Sequence, residues 1–230
     1  MIVLGISTAT PRGSVALVED ARLLGRVAYQ GKMHHAERIF GALEQLVATS
    51  GVERAAIGAV SCDVGPGSFT GIRAGLAAAK GIALGLGLPL LGVGSLAAMA
   101  AAAWASAPAP ERERVVCLLD ARRSETFFAA YDRQLCLRAG PGHVRSVELL
   151  DALGELAHAP DACFAGSQAL TLCPPLEPTR VLSDEDCALP DAAWIARLGL
   201  AELARGAVPS LDQVEPLYLR APDVSRPRAG

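Results

Sequence analysis

The stretch Gly65-Pro66-Gly67-Ser68-Phe69-Thr70-Gly71-Ile72-Arg73 is where residue types and spacing come nearest to a chemical device. A glycine-rich turn running into a helix N-terminus presents backbone N–H groups that can cradle an anion. It is not a Walker A loop, which needs GxxxxGK[ST]. The same residues also make a tight structural turn with Ser68 as helix N-cap. The residues alone leave both readings open.

Other chemistry finds less support. His34 and His35 are adjacent and so point in different directions, while His143 and His158 stand alone. Neither HxxxH nor HExxH occurs, so no metal pair is assigned. There is no GxSxG elbow, and Ser7, Ser14 and Ser68 lack evident His or Asp partners. Asp120, Arg122 and Glu125 cluster at a strand end, as a site or as the ion pairs of a hairpin. Cys62, Cys117, Cys136, Cys163, Cys173 and Cys187 are widely and irregularly spaced with no CxxC, which excludes zinc ribbons and thioredoxin-like motifs. Reduced thiols in a cytosolic protein are the expectation. No catalytic, cofactor-binding or metal-binding residue is assigned.

The elements that would position these residues follow from periodicity. Residues 2–9, 14–18 and 23–29 are apolar runs separated by short turns, which predicts an antiparallel meander. Ala36, Ile39, Phe40, Leu43, Leu46 and Val47 recur at helical spacing, with Glu37, Arg38, Glu44 and Gln45 on the other side. This predicts an amphipathic helix that stops near Ser50-Gly51. A buried strand over 56–62 precedes the glycine-rich turn, and a helix runs from Ser68 to about Leu86. That helix carries Gly71, Gly75, Gly81 and Gly85. Each costs about 1 kcal/mol relative to Ala, so close packing against another backbone is expected in return. A strand over 89–94 and a helix over 95–107 follow.

Ala107-Pro108-Ala109-Pro110 breaks the pattern and sets a boundary: an N-terminal subdomain at 1–107 and a C-terminal one at 108–230. The second half is predicted to have strands at 115–120, 126–131 and 162–166. A Gly140-Pro141-Gly142 loop separates them, and helices are expected at 146–156 and 191–205. Both halves open strand-strand-helix, which hints at a duplicated unit.

The chain has 230 residues, 51% hydrophobic and 20% charged, enough for a substantial core. Its net charge of −3 excludes a strongly basic nucleic-acid footprint, so any RNA contact would be shared with a partner. No formal charge occurs between Lys80 and Glu111, but glycines and Pro89 break that run into pieces too short to span a membrane. The N-terminus MIVLGISTAT lacks a basic region and a cleavage site, so it reads as a strand and not as a signal peptide.

Four segments then carry a resemblance that covers nearly the whole chain. They are GISTATPRGSVAL at 5–17, MHHAERIFGALEQL at 33–46, GPGSFTGIRAGLAAAKGIALGLGLPLLGVGSLAAMA at 65–100, and DARRSETFFAAY at 120–131 with PLYLR at 216–220. In these segments the chain resembles the TsaB (YeaZ) family, bacterial cytoplasmic subunits of the machinery that makes threonylcarbamoyladenosine in tRNA. The third segment is the most specific.

The resemblance implies an α/β fold of the actin/Hsp70/sugar-kinase (ASKHA) type: two subdomains, each a mixed sheet with flanking helices. It places Ser7 where the wider superfamily holds a metal-directing acidic residue. It places Ser95 and Met99 where the catalytic paralogue carries its two metal-binding histidines; neither can replace an imidazole. The implied role is a non-catalytic subunit that docks a TsaD-type paralogue, with a TsaE-type ATPase subunit and tRNA joining through the complex.

Docking would use the first two long helices, with Ile39, Leu43, Leu46, Ile72, Leu76 and Ala79 as candidate contacts. From pattern alone the same faces could pack on their own sheet. The exposed face also predicts a homodimer when the partner is absent. The basic tail residues Arg220, Arg226 and Arg228 are candidates for phosphate contacts. The alternatives are a metallopeptidase, against which the missing histidine pair argues, and a stand-alone ATPase, against which Ser7 argues.

Overall fold

The computed structural model describes residues 1–20, 22–30, 35–106, 110–172, 180–182, 185–206 and 208–220. The three opening apolar runs form β1 (Ile2–Ser7), β2 (Arg12–Glu19) and β3 (Arg22–Gln30), antiparallel neighbours as their short turns require. β4 (Ile57–Gly65) and β5 (Leu90–Gly94) add in parallel, each reached by a helical crossover. The first sheet has the order β3-β2-β1-β4-β5. Its two crossovers are α1 (His35–Ser50) and α2 (Phe69–Leu86).

The second half repeats this plan. β6 (Arg114–Arg122), β7 (Glu125–Asp132) and β8 (Leu137–Arg145) are antiparallel neighbours. β9 (Ala162–Ala165) and β10 (Val181–Leu182) then add in parallel beside β6, giving β10-β9-β6-β7-β8. Each half is thus the same five-strand topological unit. Helix α3 (Ser95–Ala105) leads from the first unit to the second.

Two expectations for the second half need correction. Gly140-Pro141-Gly142 is not a loop but lies inside β8. β8 is an edge strand, where a proline leaves no ladder hydrogen bond unmade. The helix expected over 146–156 is a 3-10 turn at Ser146–Glu148 followed by two short pieces, α4 (Leu149–Leu153) and α5 (Glu155–His158). Gly154, at φ 53, breaks them apart. Short helices α6 (Ala169–Leu172) and α7 (Glu185–Ala188) precede the last long one, α8 (Ala192–Ala204).

The core is layered accordingly. α1 and α2 cover one face of the first sheet, where Ile39, Leu46, Leu76 and Ala79 meet Leu4, Ile6, Val15 and Leu17. Each large aliphatic side chain buried there contributes about 1.5–3 kcal/mol. α8 covers the other face, packing Ala192, Ala193 and Ala196 on Val3, Ala16 and Val18. A division after residue 107 separates the two sheets, but α8, although late in the chain, returns to the first. Leu96, Met99 and Ala103 of α3 pack on the second sheet with Cys117, Leu119 and Phe127. Among the described residues no helix is long and apolar enough to cross a membrane.

Candidate functional site

The glycine-rich turn is held by the chain's own backbone. Ser68 caps α2 by accepting a hydrogen bond from the Gly71 N–H at 3.2 Å, and its own N–H donates to Ala9 O at 2.7 Å. Thr8 Oγ1 donates to Gly71 O at 2.8 Å. A Cβ on Gly71 would lie 2.1 Å from Thr8 O, and one on Gly75 2.1 Å from Thr8 Oγ1. Those two glycines let α2 press against the β1–β2 connection. The N–H groups that an anion would need at Ser68 and Gly71 already have acceptors, which favours the structural-turn reading of the motif.

Beside this turn the carboxyl ends of β1, β4 and β5 converge on one buried carboxylate that the sequence reading did not single out, Asp63. Ser7 Oγ donates to Asp63 Oδ2 at 2.9 Å, Ser95 Oγ to Oδ1 at 2.5 Å, and the Gly65 N–H to Oδ1 at 3.0 Å. Ser7, Asp63 and Ser95 are each fully buried. Burial pushes the Asp63 carboxyl up to about 6, against the lowering effect of its hydrogen bonds to Ser95, Gly65 and Ser7. A lone acidic residue inside the apolar run 57–65 was the available signal for it. Met99 is buried in the core around the second sheet. Among the described residues no three His, Cys, Asp or Glu side chains group so as to hold a metal ion.

The candidate contact residues lie differently from the expectation. Ile39, Leu46, Ile72 and Ala79 are 0% exposed and Leu76 is 6% exposed, all within the chain's own structure. The apolar stripe of an amphipathic helix goes to its own sheet first, so these five are core residues and not a surface. Leu43 alone of the six is partly buried and lines an open groove.

That groove, of about 400 Å³, runs between the C-terminal halves of α1 and α2. Phe40, Leu43, Glu44 and Val47 form one wall, and Gly81, Ile82, Gly85 and Leu86 the other. Leu4 and Ile57 also line it. Phe40 is 55% exposed, Leu86 45%, and Leu84 on the same turn of α2 is 74% exposed. A Cβ added at Gly81 or Gly85 would meet nothing within 4 Å. Unlike Gly71 and Gly75, these two glycines serve no close approach within the chain.

The remaining candidates resolve locally. The Arg122 N–H donates to Asp120 Oδ1 at 2.8 Å, and Glu125 Oε2 faces Arg220 Nε at 3.0 Å and His143 Nε2 at 3.2 Å. The charged group at the strand end is therefore a hairpin network, and Arg220 is engaged in it. Arg226 and Arg228 lie outside the described residues, as do His34 and Cys173. His35 is buried, with Nε2 2.9 Å from Thr10 O. Cys62, Cys117, Cys163 and Cys187 are buried free thiols and Cys136 is an exposed one.

Comparison with known proteins fits this geometry. The family model described as TsaD, tRNA N6-adenosine threonylcarbamoyltransferase, matches residues 23–155. The tRNA threonylcarbamoyladenosine biosynthesis protein TsaB of Escherichia coli is 33% identical over 227 residues, covering 96% of this chain and 95% of that protein. The solved structure of YeaZ from Pseudomonas aeruginosa superposes with a TM-score of 0.79 at 28% identity, over 95% of this chain and 99% of that one. A ROK hexokinase from Thermus thermophilus, with a TM-score of 0.50 at 14% identity over 90% of this chain and all of that one, shares the fold alone. The doubled five-strand unit is thus of the actin/Hsp70/sugar-kinase type. The chain belongs to the TsaB (YeaZ) family.

Proposed function

We propose that this chain is a non-catalytic subunit in tRNA threonylcarbamoyladenosine biosynthesis, which docks a TsaD-type catalytic paralogue on its α1–α2 face. The partner transfers the threonylcarbamoyl group to the adenosine 3′ of the anticodon. This chain holds it in a competent geometry, and a TsaE-type ATPase subunit and the tRNA join through the complex. The observation that carries the reading is the groove, where exposed Phe40 and Leu86 flank glycines facing open space, with Leu84 exposed on the same turn of α2 beside it. Apolar side chains and bare helix backbone at one surface favour a second helix pair laid against them.

Two further features support it. Ser7 offers a hydroxyl, already committed to Asp63, where the resemblance puts a metal-directing carboxylate. The net charge of −3 favours RNA contact shared with a partner over contact by this chain alone.

Co-purification with the TsaD-type paralogue of the same organism tests the reading. Wild-type chain is expected to form a stable complex, and Leu84→Glu and Phe40→Glu to lose both the complex and tRNA modification while remaining folded. Leu76→Glu is unsuited to this purpose, because Leu76 is buried in the core. A wild-type chain that stays alone, or mutants that still bind, would sink the proposal. Self-association of the isolated chain through the same groove is expected when no paralogue is present.

A further inference from the structure

Residues 214–220 contain no helix or strand, yet five of the seven are tied down, and the ties run to both halves. Val214 is 4% exposed and sits against β5, since a Cβ on Gly92 would lie 3.0 Å from its Cγ1. The Leu217 N–H donates to Val64 O at 2.7 Å, and a Cβ on Gly65 would stand 2.9 Å from Leu217 O. The Tyr218 ring lies 4.8 Å from that of Phe69, and its hydroxyl accepts from Arg73 Nε at 3.1 Å. Arg73 in turn covers the Phe69 ring at 4.2 Å. Up to this point these contacts are with β4, β5 or the N-terminal end of α2.

The next two residues change sides. Leu219 packs on the core around the second sheet. Arg220 Nη1 donates to Ala121 O at 2.7 Å, and its Nε lies 3.0 Å from Glu125, at the turn between β6 and β7. The turn itself holds Arg122, Arg123 and Ser124 in consecutive left-handed conformations, at φ 68, 53 and 59. Non-glycine residues adopt these only where the surroundings impose them. Arg220 meets the carbonyl of the residue that leads into this turn.

We propose that residues 214–220 form a strap that couples the N-terminal end of α2 to the β6–β7 turn and so holds the two halves in fixed relation. The halves also meet in the interior, where α3 leads from one to the other and Ala98 of α3 packs with Ile195 of α8. The strap is held at both ends by side-chain and backbone contacts alone, and so can release without unfolding either sheet.

Hydrogen exchange on the full chain tests this. Arg220→Ala removes the contacts to Ala121 and Glu125, both in the second half. If the strap couples the two ends, that change is expected to speed exchange about tenfold in the distant segment 65–73 as well as in 119–125. Exchange in Leu149–Leu153 should be unchanged. A chain ending at Glu215 is expected to show the same pattern, more strongly. Should the truncated chain lose its fold altogether, Arg220→Ala alone decides. Faster exchange confined to 119–125 in Arg220→Ala would overturn the strap and leave only a local contact.

Discussion

The two halves are the same sheet built twice, and they differ in what covers it. In the first half the connections leading to β4 and β5 are helices of 16 and 18 residues, α1 and α2. The connection at the first of these places in the second half is a 3-10 turn with helices of five and four residues. Both halves bury large aliphatic side chains completely in these connections, Ile39 in the first and Leu149 in the second. Among the described residues the longer covering helices belong to the first half, and they carry an exposed apolar groove. The proposed docking face thus belongs to the outer layer of a duplicated unit, while the inner layer stays constant.

The sharpest test sets exposed residues of the two halves against each other. Leu84 on α2 is 74% exposed and Val147 beside α4 is 83% exposed. Leu84→Glu is expected to weaken paralogue binding by about 4 kcal/mol, the scale of a central interface residue. Val147→Glu should change it by less than about 0.5 kcal/mol, as surface substitutions usually do. Titration calorimetry on both variants measures the difference. Equal effects would mean that the groove is not where the partner sits.

Buried residues should show no such asymmetry. Ile39→Ala and Leu149→Ala each remove a fully buried side chain under a helix. Each is expected to destabilise the chain by about 3 kcal/mol. Denaturant midpoints check this. A much smaller cost for Leu149→Ala would show that the second half is the looser of the two.

Asp63 gives the halves different responses to pH. β4 carries this carboxylate near its end, whereas β9 ends at Ala165 and is followed by Gly166. The folded carboxyl ionises at about 6, above the ordinary value of about 3.9. Between those values the folded chain holds a proton that the unfolded chain has released. This site therefore favours folding most below about pH 4, and that contribution falls by roughly 2–3 kcal/mol as pH rises through 6. Asp63→Asn keeps the volume and removes the titration. Its stability curve should lose this slope relative to wild type between pH 4 and 7. Parallel curves would show that Asp63 does not titrate there.

The sequence made most of this arrangement legible, because sheet and helix periods are strong where one face is buried. The meander, the first three helices, Ser68 as cap and the repeated unit all follow from such patterns. β8 was obscured by Gly140-Pro141-Gly142, since edge position is a property of the sheet and not of the segment. The residues proposed for docking were obscured for a related reason. Periodicity finds the most apolar stripe, and the protein keeps that stripe for itself. Leu84 and Leu86 fall outside it, and their exposure becomes visible only once Ile72, Leu76 and Ala79 have been assigned to the core. The carboxylate of Asp63 lay in plain view, but its role depends on Ser7 and Ser95, which are distant in sequence.

The smallest effect separates two kinds of glycine on one helix. Gly75 and Gly81 both stand in the interior of α2. Alanine at Gly75 must displace Thr8, whose Oγ1 would be 2.1 Å from the new Cβ. It should lower stability by about 1 kcal/mol or more, since overpacking outweighs the gain in helix propensity. Alanine at Gly81 meets nothing within 4 Å. It should raise the stability of the isolated chain by about 0.5–1 kcal/mol, because the unfolded chain loses freedom and the helix gains a better former. If a partner helix approaches the groove closely, the same methyl group weakens the complex while strengthening the chain that forms it. Thermal melts of the isolated variant and calorimetric titration with the paralogue measure the two effects separately. A Gly81→Ala chain that is more stable and binds as well as wild type would show that the bare backbone there is not a contact. The groove would then be recognised through its side chains alone.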